Sequence, residues 1–125
     1  PDAPVIALTG DGGFGHVWSE LETARRMKLP VVLVVLNNQI LGYQKHAELS
    51  LFGDFTDVVD FEAVDHAAIA RACGCSGVRV ENPADFLPAL QEALARNDVT
   101  VIDVITDERA YPPITVFEGK DALHY

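Results

Sequence analysis

Val5-Ile6-Ala7-Leu8-Thr9-Gly10-Asp11-Gly12-Gly13 is an apolar run that ends in an aspartate set among glycines. Val31-Val32-Leu33-Val34-Val35-Leu36-Asn37-Asn38 is a second such run, and it ends in two asparagines. Asp11 and Asn38 lie 38 − 11 = 27 residues apart, room for one crossover helix between two parallel strands. Side chains that close such strands share the carboxyl edge of the sheet, where open α/β sheets bind their ligands. A carboxylate, an amide oxygen and nearby backbone carbonyls are hard donors suited to an octahedral magnesium ion. The glycines leave backbone amides free to approach a diphosphate. The residues therefore point to a metal-bound diphosphate.

A competing pattern shares the same glycines. Gly10, Gly12 and Gly15 fit G-x-G-x-x-G between a strand and a helix, a weak signal on its own. Asp11 would then set a carboxylate beside a pyrophosphate with no cation to offset the repulsion. A dinucleotide site also wants an acidic ribose-binding residue near the end of the next strand, where this chain has the neutral Asn37-Asn38. Without those asparagines, Asp11 would read as a turn residue or helix cap.

The chain of 125 residues fits one domain, and its 49% hydrophobic content can supply a core. Nine basic against nineteen acidic residues give a net charge of −10, which disfavours nucleic acid or an anionic membrane as partner. An anionic cofactor needs its own metal against that background. No apolar run approaches a membrane span and no basic-then-apolar leader opens the sequence, so the expected location is cytoplasmic. Cys73 and Cys75, around Gly74, read as small core residues and not as a disulfide framework or zinc site.

Apolar β-branched runs alternate with helical patterns, which predicts an α/β fold, doubly wound, with a mostly parallel sheet and helices on both faces. Strands are expected at about Val5 to Thr9, Val31 to Leu36, Val78 to Val80 and Val101 to Ile105, all too continuously apolar to leave one face in water. One helix is expected from Val17 to Met27, with Val17, Leu21, Ala24 and Met27 on one stripe, ending before Pro30. A second runs from Phe61 to Cys73 between a cap at Asp60 and a stop at Gly74, and a third starts at Asn82-Pro83 or at Asp85 and aligns Phe86, Leu90 and Leu94. Gln39 to Asp60 has no clear period and is expected to lie as a loop across the ligand. Residues 1–107 read as the domain and 108–125 as a C-terminal tail, in which Tyr111-Pro112-Pro113-Ile114 and Phe117 look like a segment that docks on another surface.

Gly10-Asp11-Gly12-Gly13, a helix containing Glu20-Leu21-Glu22-Thr23-Ala24, and Leu36-Asn37-Asn38 together resemble the diphosphate-binding domain of thiamine diphosphate enzymes. The resemblance is greatest to the acetohydroxyacid synthase, benzoylformate decarboxylase and pyruvate oxidase group, and it covers nearly the whole chain. It implies thiamine diphosphate and Mg2+ as cofactors, with the metal held by Asp11, Asn38 and the backbone carbonyl of Ile40. Gly10, Gly12, Gly13, Leu41 and Gly42 are implied at the diphosphate, and Tyr43 and Gln44 toward the thiazolium and substrate. Gln44 departs from the family, where decarboxylases often carry glutamate and acetohydroxyacid synthases an aliphatic residue. Tyr43-Gln44-Lys45-His46 reads equally as a helix start whose polar residues face solvent. His16, one residue beyond Gly15, is within reach of the diphosphate or the thiazolium edge but reads as a half-exposed residue of a helix's first turn, His66 and His124 lack partners at ligand spacing, and Glu20 and Glu22 suit a helix N-terminus, so none is assigned to the site.

The activating glutamate is implied to come from a separate pyrimidine-binding domain, so no catalytic residue is assigned in this chain. The expected whole is a homo-oligomeric enzyme acting on 2-oxo acids, of which this is a C-terminal part without turnover by itself. The implied activity is acetolactate synthase-like, a decarboxylation followed by carboligation. A 2-oxo acid decarboxylase of the benzoylformate or pyruvate type is the alternative. A noncatalytic nucleotide-binding or interaction module is an alternative of another class, one with no need of magnesium.

Overall fold

The structure, a computed structural model, describes residues 3–110. Four parallel strands, β1 (Val5–Gly10), β2 (Val31–Asn37), β3 (Ser76–Val80) and β4 (Thr100–Ile105), form one sheet in the order β1-β2-β4-β3. Every connection is a crossover, as parallel pairing requires. The first carries α1 (Asp11–Gly15) and α2 (Glu20–Arg26), and the second carries α3 (Gly42–Phe52) and α4 (His66–Ala72). The third carries α5 (Phe86–Arg96).

Alternation along β2 divides the interior. Val32, Val34, Val80, Ala93 and Ile102 form one buried cluster, under Phe86, Leu90 and Leu94 of α5. Val35, Val99 and Val101 pack on the opposite face with Phe14, Leu21 and Ala70 from α1, α2 and α4. The expected doubly wound arrangement is therefore present, with helices on both faces.

The first expected helix is instead two. Phe14 is 1% exposed, and burying such a side chain contributes about 1.5–3 kcal/mol. It pins α1 at the very end of β1, after which the amides of Val17 and Trp18 both bond to its carbonyl and the chain turns before α2 begins. Only Leu21 and Ala24 of the expected stripe reach the core, and Val17 and Met27 are exposed. The second expected helix starts five residues late. Asp65, not Asp60, caps α4 by accepting from the Ala68 amide, because the amide of Phe61 is engaged by the Gln39 carbonyl. At the third, both expected starts are used: Asn82 caps a 3-10 turn over Pro83–Asp85, and α5 follows from Phe86.

Between Gln39 and Asp60 the expected loop contains α3, none of whose residues is buried. A helix without a buried face needs no apolar stripe, which is why the sequence shows no period there. The apolar run of β1 reads as that of a doubly covered strand, but among the described residues β1 has one neighbour, and Val5, Ile6 and Leu8 are 43%, 50% and 69% exposed.

β3 begins at Ser76, earlier than expected, and Gly77 explains how α4 can approach it so closely. A Cβ at Gly77 would stand 2.1 Å from the backbone carbonyl oxygen of Ala67. No helix among the described residues is long and apolar enough to cross a membrane. The expected docking segment from Tyr111 onward lies outside the described residues.

Candidate functional site

β1 and β2 end side by side, with Gly10 paired to Leu36. This register brings Asp11, the first residue of α1, beside the turn that leaves β2. Asp11 is buried, and its Oδ2 accepts a hydrogen bond from the Gln39 amide at 2.8 Å. Gln39 stands between Asn38 and Ile40, so the backbone joins the carboxylate to the segment carrying the other two expected metal donors.

That segment is held in an uncommon shape. Gln39 has φ +62°, in the left-handed region that non-glycine residues rarely adopt. Antiparallel bonds beyond it fix the turn: the Leu41 amide donates to Val59 O and the Phe61 amide to Gln39 O, both at 2.7 Å. These two bonds flank the bridge between Ile40 and Asp60, and the Ile40 carbonyl takes no part in it. Asn38 Oδ1 lies 3.4 Å from the Ile40 amide, a long and weak contact.

The donor set suits magnesium. No group of three or more His, Cys, Asp or Glu side chains among the described residues could hold a metal. A cation here would rely on one carboxylate, one amide oxygen and one backbone carbonyl. Magnesium is commonly held by one or two carboxylates with phosphate oxygens and waters completing its octahedron, so a diphosphate would supply the rest.

The glycines serve packing as well as access. A Cβ at Gly12 would meet Leu41 Cδ2 at 2.9 Å and the Phe61 ring at 3.4 Å, so the segment after the asparagines lies directly against α1. A Cβ at Gly13 would stand 3.1 Å from Thr9 Oγ1, and one at Gly42 would be 3.5 Å from Asn38 Nδ2. Gly10, Gly12, Gly13, Leu41 and Gly42 thus belong to one neighbourhood around Asp11 and Asn38.

Tyr43 and Gln44 occupy the first turn of α3, both exposed. Gln44 Nε2 donates to Glu48 Oε1 at 2.7 Å, a bond that holds the Glu48 carboxyl below its usual range. Lys45 ties α3 to the next segment, lying 2.8 Å from Asp60 and 4.4 Å above the Phe55 ring, and the bond to Asp60 raises its pKa. Burial pushes the His46 imidazole below the ordinary histidine value, and the charge of Lys45 adds to the effect. The folded state therefore resists protonation of His46. Its contribution is fully present above the unfolded value, about 6.5, and is lost as pH falls below it toward the lower folded value. Protection factors for amide exchange across residues 42–52 should fall between pH 7.5 and 5.5, and His46→Gln should remove that fall.

Sequence reasoning missed a polar cluster beneath the site. Asp103, wholly buried, accepts from Asn37 Nδ2 at 3.0 Å, from the His66 amide at 3.0 Å and from Arg79 Nη1 at 3.2 Å. His66, read from sequence as a helix residue without a partner at ligand spacing, is buried with its ring nearly perpendicular to that of Phe14, 5.3 Å between centroids. The available signal was a single acid inside the apolar run Val101-Ile102-Asp103-Val104-Ile105. His16, by contrast, is exposed at the end of α1.

A parallel sheet whose strand ends carry an aspartate and paired asparagines, wrapped by a glycine-rich first turn, defines a diphosphate-and-metal-binding domain. The chain belongs to the family described as thiamine pyrophosphate enzyme, C-terminal TPP binding domain, which it matches over residues 1–104. Its cofactor is thiamine diphosphate, with magnesium as the family's usual metal. Among its relatives is the acetolactate synthase large subunit IlvG of Mycobacterium tuberculosis, 37% identical over 90% of this chain and 21% of that protein. Another is the sulfoacetaldehyde acetyltransferase of Castellaniella defragrans, 34% identical over 98% of this chain and 21% of that one. A solved thiamine diphosphate-dependent 4-hydroxybenzoylformate decarboxylase from Rhodococcus jostii RHA1 superposes with a TM-score of 0.81 at 34% identity, over 86% of this chain and 20% of that one. The chain thus spans about a fifth of the length of the relatives it matches.

Proposed function

We propose that Asp11, Asn38 and the Ile40 carbonyl hold magnesium, that Gly10, Gly12, Gly13, Leu41 and Gly42 line the diphosphate, and that Tyr43 and Gln44 face the substrate. The observation that carries the metal assignment is the 2.8 Å bond from the Gln39 amide to Asp11 Oδ2, which sets the carboxylate against the turn between Asn38 and Ile40. Asp11 supplies the one protein charge opposing the cation, and the turn supplies neutral oxygens. Residues 1–107 form the binding domain and 108–125 its tail.

The whole protein, in this reading, is a homo-oligomeric transferase acting on 2-oxo acids in the manner of acetolactate synthase. Bound thiamine diphosphate supplies an electron sink for loss of carbon dioxide from a 2-oxo acid. The activating glutamate comes from a pyrimidine-binding domain of the longer protein. Relatedness to acetolactate synthases supports the carboligase reading. The superposition on the 4-hydroxybenzoylformate decarboxylase supports a decarboxylase as the second reading.

Titrating the longer protein with thiamine diphosphate, with and without magnesium, tests the site. Binding that needs no magnesium would overturn it and favour a noncatalytic module. Product analysis with pyruvate separates the two activities, acetolactate marking carboligation and free aldehyde marking decarboxylation alone.

Gln44→Glu and Gln44→Val are expected to change the ratio of kcat/KM between small and aromatic 2-oxo acids by about tenfold or more at saturating cofactor. An unchanged ratio in both would mean that the side chain stays with Glu48 and away from the substrate. Among the asparagines, Asn38→Ala should weaken metal binding more than Asn37→Ala, since only Asn38 is assigned a bond to the ion. Equal losses would contradict that order.

A further inference from the structure

Asp103 interrupts the apolar run from Val101 to Ile105 in a central strand, and none of its side-chain hydrogen bonds is to an assigned metal donor. A carboxylate removed from water is tolerated only when its lone pairs are met by good donors. Oδ1 takes the Asn37 Nδ2, and Oδ2 takes the His66 amide and Arg79 Nη1. Three elements therefore converge on one buried group: the end of β2, the start of α4 and the penultimate residue of β3.

Asn37 is the member that adjoins the site along the chain. Its Nδ2 donates to the Val64 carbonyl at 3.1 Å as well as to Asp103, so two acceptors fix which way the amide points. Asn37 is wholly buried and is the last residue of β2, immediately before Asn38. Beyond Asn38 comes the left-handed Gln39, a conformation that persists only where its surroundings over-determine it. The bonds to Val59 and Phe61 restrain that turn on its far side. The near side is restrained through Asn37.

We infer that Asp103 is a positioning residue for the metal site: acting through Asn37, it holds the turn from Asn38 to Ile40 in the geometry its oxygen donors need. This rests on the assignment of Asp11, Asn38 and Ile40 as metal donors. An amide at position 103 cannot replace the carboxylate. Its NH2 group would face either the Asn37 NH2 or the His66 amide together with Arg79, donor against donor. Asn37 would have to turn to accommodate it, giving up its bond to Val64.

The test uses the full-length protein that carries this domain, with Mn2+ as the probe ion, thiamine diphosphate present, and metal binding read by electron paramagnetic resonance. Asp103→Asn should raise the Mn2+ dissociation constant about 10–100-fold, the range for partners that orient a metal ligand from behind. Asn37→Ala should do the same, since it deletes the link while leaving Asp103 its other two donors. Val101→Ala, a cavity on the same strand and the same face, should lower the thermal midpoint and leave Mn2+ affinity unchanged. Unchanged affinity in Asp103→Asn and Asn37→Ala would overturn the inference. So would an equal loss of affinity in Val101→Ala at matched destabilisation. If Asp103→Asn fails to fold, the comparison of Asn37→Ala with Val101→Ala decides alone. Asp11→Asn separates the two levels: Mn2+ affinity retained there removes the metal assignment and this inference with it. Affinity lost there but retained in Asp103→Asn and Asn37→Ala removes the positioning role alone.

Discussion

Asp11→Asn in the longer protein is expected to weaken magnesium-dependent binding of thiamine diphosphate by more than about 100-fold, beyond what loss of a partner behind a ligand costs. The substitution keeps size and shape and removes the one carboxylate assigned to the ion. Neutral oxygens from Asn38 and Ile40 remain, and a dehydration-reluctant cation gains little from those alone. Folding should survive, because the retained Oδ1 of asparagine can still accept the Gln39 amide. Calorimetric titration of cofactor against increasing magnesium would read the loss, with circular dichroism confirming the fold. Near-normal affinity in a folded Asp11→Asn protein would remove the metal assignment.

Gly77→Ala is expected to be among the most destabilising single-methyl changes in the domain. Its Cβ would sit 2.1 Å from the Ala67 carbonyl oxygen, 2.9 Å from its carbonyl carbon and 3.0 Å from its Cα. A flexible side chain could swing away from such a contact, but this neighbour is the backbone of α4. Relief requires α4 to lift from β3, opening the cluster that Ala70 shares with Val35, Val99 and Val101. Overpacking of this kind typically costs about 1–3 kcal/mol, and a rigid backbone partner places Gly77→Ala at or above the upper end. Denaturant unfolding of the longer protein, followed by proteolysis within the α4–β3 region, would measure it. A loss below about 0.5 kcal/mol, the scale of an ordinary surface change, would mean that α4 yields freely.

Both changes bear on how much of this molecule could be read before its structure. The four strands and the shared carboxyl edge were legible because apolar runs of that length, ended by Gly10-Asp11 and Asn37-Asn38, have few other uses. α3 was not, since none of its side chains is buried and periodicity records burial alone. In β1, Val5, Ile6 and Leu8 are written as for an interior strand and stand exposed, since one side of β1 has no neighbour among the described residues. The start of α4 was misplaced because the bond from Phe61 to Gln39 comes from residues 22 positions apart, beyond any local pattern. At the proposed site, Asp11 and Asn38 carry chemical type and spacing, which is what lets a sequence propose them. Asp103 and Gly77 act through what packs against them, which a sequence does not display.

Gln39 offers no side-chain atom to the proposed metal, and its amide and carbonyl both serve the site. Variation at this position should therefore follow the peptide group and not the side chain. Glycine and asparagine, at ease with positive φ, should be accepted. Valine or isoleucine should strain the turn, and proline, lacking the amide and confined to negative φ, should disconnect Asp11 from it. A scan that replaced each residue by alanine would rank Gln39 as modest and overlook it, whereas a proline scan would find one of the most sensitive positions in the chain. At the proposed site, part of the recognition of the cation would thus be written in the main chain, where comparing side chains between relatives will not find it.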